Sequence, residues 1–140
     1  MQVVLDMRKN ELEQRQMEAA KILAALRLQE QKLEEILQTQ IRNSQQMEGL
    51  YGLETLDIQQ IEGHRDFGLK LTVDAKNQER IINNTKALFE RKQIEVREAH
   101  KKVEVLNKLK EKQEQQYYKD FLDYEIKQTD DLTTSRFNIG

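Results

Sequence analysis

Of 140 residues, 34% are charged, 37% hydrophobic and only 6% aromatic, too little bulky apolar material for a conventional globular core. The formal charge of −2 hides a gradient, with −1 over residues 1–48, −2 over 49–85, +4 over 86–119 and −3 over 120–140. So thin a positive excess on one long stretch describes a solvated face rather than a nucleic-acid site, and no nucleic-acid partner is expected.

Pro is absent, Gly numbers five, and Gln, Glu, Lys, Leu, Arg and Ala dominate, so the chain reads as elongated helix rather than as disorder. Without Cys it has neither a disulfide framework nor thiolate chemistry, as suits a reducing cytosol. No apolar run approaches the roughly 20 residues that span a bilayer. The opening MQVVLDMRKN has too short an apolar patch for a signal peptide, with its charges on the wrong side. A soluble, cytoplasmic protein with no direct membrane insertion is the expectation.

In chain order, helix one is predicted over about residues 3–48. Leu5, Leu12, Ala19, Leu26 and Leu33 recur every seven, with Leu23 and Leu37 at the intermediate position, which makes a heptad seam. A turn follows over 49–56. Gly49 and Gly52 suit the left-handed conformation that ends a helix, and Asp57 with Gln60 has the spacing of a capping box. Helix two is predicted over about 57–128, weakened or bent near Gly63 and Gly68. It carries Ile61, Gly68, Ala75, Ile82, Phe89, Val96, Val103, Lys110, Tyr117 and Tyr124 every seven, with Leu71, Ala99 and Leu106 between them. Lys92, Lys110, Gln113 and Asp120 occupy core positions, where polar residues fix register and lower stability. Pairs such as Glu11 with Arg15, Asp66 with Lys70, Glu98 with Lys102 and Glu104 with Lys108 add about 0.3 to 0.5 kcal/mol each. Residues 129–140, rich in Asp and Thr, read as a flexible tail.

The fold expected is therefore all-α, a single domain over 1–128 in which two long helices form an antiparallel coiled-coil hairpin. At 1.5 Å per residue, helix one is roughly 69 Å long and helix two roughly 108 Å. A turn centred near residue 52 would set Leu33 against Thr72, Ala19 against Lys86 and Leu5 against about His100. Helix one would then be exhausted near Val103, leaving helix two to overhang with an apolar stripe through Leu106, Leu109, Tyr117, Phe121 and Tyr124. Such a stripe marks a partner surface. A later turn, or a longer helix one, would cover more of it.

No phosphate loop, HExxH or EF-hand pattern occurs. His64 and His100 lie far apart, and adjacent carboxylates such as Glu34 and Glu35 point about 100° apart on a helix, so they make no acid/base couple. No enzyme activity, metal or cofactor is expected.

The start, QVVLDMRKNELEQRQMEAA, with Val4, Leu5, Asp6, Arg8 and Glu11 ahead of an Ala-bearing helix, resembles the opening pattern of the FliJ family. The closing stretch KKVEVLNKLKEKQEQQYYKDFLDYE, followed by DDLTTSRF, is similar to that family's end. There Lys102, Val103, Leu106, Leu109, Lys110, Tyr118, Glu125, Asp131 and Arg136 carry the match. Family members commonly begin with several more residues, often a basic and Phe-containing stretch.

The resemblance spans nearly the whole chain. It implies a non-enzymatic stalk and adaptor of the bacterial flagellar type III protein export apparatus. Its implied partners are the hexameric export ATPase, whose ring assembly it promotes, the cytoplasmic domain of the membrane export gate, and export chaperones. Its implied place is the cytoplasm, peripheral to the inner-membrane export apparatus. Leu5, Arg8, Leu106, Leu109, Lys110, Tyr117, Phe121 and Tyr124 are the expected ATPase contacts. Met47, Tyr51, Leu53, Ile58, Ile61 and His64, near the turn, are the expected gate contacts or else pack the turn. The competing readings are a self-associating coiled-coil scaffold and the equivalent stalk of a virulence secretion system.

Overall fold

Nothing in the first stretch of sequence interrupts a helix: there is no Pro, and no Gly before Gly49. In the computed structural model, which describes residues 1–139 and side chains through residue 134, α1 spans Gln2–Tyr51 and α2 spans Ile58–Ile139. The described residues contain no strand. The two helices pack against each other as the expected antiparallel hairpin, with α2 the longer.

The turn falls later than expected. Gly49 lies inside α1, and neither it nor Gly52 takes a positive φ, so the left-handed helix stop that these glycines permit is not used. The connection is residues 52–57 instead. Asp57 closes it as a cap: its Oδ1 accepts from the Gln60 N–H at 3.2 Å and its carbonyl accepts from the Ile61 N–H at 3.1 Å. One donor that a helix N-terminus leaves without a partner is thereby satisfied.

The chain divides into two compact units, residues 14–96 and residues 1–13 with the stretch from Arg97 onward. In the first, Ala19, Leu26, Leu71, Ala75 and Ile82 are buried. Its cross-helix pairs correct the expected register. Thr72 meets Gln40 at 3.2 Å rather than Leu33, a displacement of one heptad, and Lys92 meets Glu18 at 3.4 Å. The intermediate seam position also moves. Ile22 and Ile36, half-buried, and Asn43, buried, follow the heptad residues by three; of the two expected intermediate residues Leu23 is half-buried and Leu37 exposed.

In the second unit Leu5, Ala99 and Val103 are buried, and Lys110 donates to the Gln2 side-chain oxygen at 2.8 Å. Cover by α1 therefore ends near Lys110 and not near Val103. From residue 111 to residue 134 every side chain is exposed.

α2 runs unbroken through Gly63 and Gly68, and it continues as helix to Ile139 over the stretch expected as a tail. No Pro or Gly stands between Gly68 and Gly140 to stop it. The Thr129, Thr133 and Thr134 hydroxyls bond back to the carbonyls of Glu125, Thr129 and Asp130 at 2.9 to 3.0 Å, so these turn-prone side chains satisfy themselves within the helix.

Candidate functional site

Heptad spacing carries Tyr117 and Tyr124 along the face of α2 that Val103 and Lys110 also occupy, and Phe121 falls four residues after Tyr117. With α1 ended, these rings have nothing to pack on. Tyr117 is 76% exposed, and Tyr118, Phe121 and Tyr124 are exposed with it. Leu122, Ile126 and Leu132 are exposed as well, three residues that the seven-residue series does not reach. Tyr117 and Tyr118 line a hollow with Met1, Gln2, Lys110, Gln113 and Glu114, at the place where cover by α1 stops.

The remaining expected ATPase contacts divide by exposure. Leu109 is exposed, Leu106 and Lys110 are half-buried, and Arg8 is half-buried with its guanidinium on Glu11 at 3.0 Å. Leu5 is 1% exposed, the most enclosed large side chain of the described residues. It packs the hairpin and offers no surface.

At the turn, Tyr51, Leu53 and Ile58 are exposed, whereas Met47, Ile61 and His64 are half-buried. His64 is engaged with α1. The Asn43 side-chain N–H donates to the His64 main-chain carbonyl at 2.7 Å, and the Asn43 Oδ1 lies 2.8 Å from His64 Nδ1. Because Oδ1 only accepts, Nδ1 is the donor in this arrangement. Asn43 is 6% exposed, and Gly68 makes room for it: a Cβ there would meet Asn43 Nδ2 at 3.1 Å.

A second amide is buried farther along. Gln78 is 5% exposed and donates to the Gln29 main-chain carbonyl at 3.0 Å. Gln29 and Asn43 were not singled out from the sequence; extending the heptad count from Leu5 with an intermediate position at three rather than four residues would have placed both on the seam. A four-charge cluster follows, in which Arg15 and Lys92 each approach Glu18 and Glu95 at 3.3 to 3.5 Å.

The hollows are open surface grooves, and among the described residues no group of three or more His, Cys, Asp or Glu could hold a metal ion. No described helix is long and apolar enough to cross a membrane. What the geometry offers is contact surface: exposed rings on α2, exposed apolar residues at the turn, and a polar lock between the helices.

The chain matches the family described as "Flagellar FliJ protein" over residues 1–139. No curated protein and no solved structure matches the chain. A family pattern that runs through both helices and the turn between them, on a hairpin of this kind, is decisive: the chain belongs to the FliJ family, non-enzymatic components of the flagellar type III export apparatus.

Proposed function

We propose that the protein acts as a stalk and adaptor of the export apparatus. It binds the hexameric export ATPase through the part of α2 that α1 leaves uncovered, and so promotes assembly of the ATPase ring. It engages the cytoplasmic domain of the membrane export gate and takes part in handling export chaperones and their substrates. It works in the cytoplasm, peripheral to the inner-membrane export apparatus.

The observation that carries this reading is the exposed aromatic stripe. Three rings at helical spacing, Tyr117, Phe121 and Tyr124, stand in water on a helix with no facing partner. Uncovered apolar stripes of this kind mark docking faces, and aromatic side chains supply much of the energy at such interfaces. A single helix is also only about 10 to 12 Å across, so it enters openings too narrow for a helix pair.

Burial refines the contact set. Tyr117, Phe121, Tyr124 and Leu109 touch the ATPase directly, with Arg8, Leu106 and Lys110 at the margin and Leu5 holding α1 in place beneath them. For the gate, Tyr51, Leu53 and Ile58 offer exposed apolar surface, while Met47, Ile61 and His64 support the turn.

The test is a double substitution, Tyr117→Ala with Phe121→Ala, mixed with the cognate export ATPase. Far-ultraviolet helicity is expected to stay at the wild-type level while ATPase binding and its effect on hydrolysis weaken at least tenfold, a loss on the order of 1.4 kcal/mol or more. Unchanged binding, also after truncation following Leu109, would sink the reading. The same stripe would serve a self-associating scaffold, which a concentration-independent dimer in sedimentation experiments would favour.

A further inference from the structure

Heptad repeats leave one freedom open. If one helix slides along the other by seven residues, every seam position still meets a seam position. The sequence also holds an earlier turn: Gly49 suits a helix stop ahead of the connection that begins at Gly52, and it is not used that way. The displaced pairing would set Thr72 against Leu33 instead of Gln40.

We infer that Asn43 is a register lock, which selects the observed pairing over one displaced by a heptad toward that earlier turn. It is 6% exposed, its Oδ1 lies 2.8 Å from His64 Nδ1, and its amide N–H donates to the His64 main-chain carbonyl at 2.7 Å. A main-chain carbonyl recurs at every heptad, so Gln78, which donates only to one, fits either register; the His64 ring does not recur. One heptad of slip sets Asp57 where His64 stands and leaves the Asn43 Oδ1 without its ring donor, a cost that apolar seam residues do not impose. Gly68 adds a steric element, since the space beside it takes the Asn43 side chain in this register.

The absence of Cys makes the register directly measurable. The pair Gln40→Cys with Thr72→Cys reports the observed register, and Leu33→Cys with Thr72→Cys reports the displaced one. Positions one heptad apart lie about 10.5 Å apart along a helix, so a short bis-thiol crosslinker distinguishes them. In the otherwise native chain the first pair is expected to link at least about tenfold more than the second, within one chain. With Asn43→Leu added, the two yields are expected to come within about threefold of each other.

An unchanged ratio in that variant, with helicity retained, would overturn the inference. Gly68→Ala provides a second route should that variant lose its helix. It strengthens α2 by propensity while crowding the Asn43 amide, so the ratio is expected to fall in the same direction. A ratio that stays at the native value there would overturn the inference as well.

Discussion

Val103 and Tyr117 stand two heptads apart on one face of α2, yet Val103 is 7% exposed and Tyr117 is 76% exposed. The local sequence around each is similar: charged residues on the outer faces and an apolar residue on the seam face, with Lys110 between them. What differs is the opposite helix. Against Val103 there is α1; beyond Lys110, which reaches back to Gln2, there is none. A heptad series therefore specifies a capacity for burial, and the length of the partner helix decides where that capacity is used.

The sharpest way to break this comparison is to remove one residue from each kind of surface. Leu5→Ala takes an almost wholly enclosed side chain out of the paired part and is expected to cost about 2 to 4 kcal/mol, read as a fall in the urea midpoint. Tyr117→Ala, from the uncovered part, is expected to change stability by no more than about 0.5 kcal/mol. Similar losses for the two would mean that the stripe beyond Lys110 packs on something within the chain after all.

Both helices, their antiparallel pairing and the seam of α2 from Ile61 to Lys110 were legible in the sequence, because apolar residues at a period of seven leave few other ways to be buried. The register was not. Pairings one heptad apart satisfy the same pattern, and the deciding feature is an Asn whose value lies in which side chain it reaches. The turn misled in the same direction: Gly49 and Gly52 advertise a helix stop, but α1 continues to Tyr51, and the Asp57 cap fixes where α2 begins. Leu5 was legible as a seam residue and as part of the expected contact set, two roles that its burial separates. The aromatics were read correctly as lacking a partner, though the uncovered segment starts about one heptad later than the sequence suggested.

The turn offers a smaller, independent perturbation. Asp57→Ala removes the carboxylate that receives the Gln60 N–H and is expected to cost about 1 kcal/mol, whereas Asp57→Asn, which keeps a capping oxygen, is expected to cost only a few tenths, about 0.3 kcal/mol. Thermal unfolding followed by circular dichroism separates the two. Equal losses would assign the effect to charge rather than to the cap.

The smallest effect belongs to the charged cluster of the paired region, and its form is more informative than its size. Arg15 and Lys92 both approach Glu18 and Glu95, so each carboxylate has two cations and each cation two carboxylates. All four side chains are partly exposed, which limits any one pair to roughly 0.2 to 1 kcal/mol. Glu18→Gln leaves Arg15 and Lys92 still sharing Glu95, and Glu95→Gln leaves them sharing Glu18, so each single change is expected to cost no more than about 0.5 kcal/mol. Together the two changes strand both cations against the seam, and the double variant is expected to lose more than the sum of the singles. In about 1 M salt, where the screening length falls to roughly 3 Å, that excess is expected to vanish. An excess that persists there would mean that the cluster acts through packing of its aliphatic stems and not through its charges.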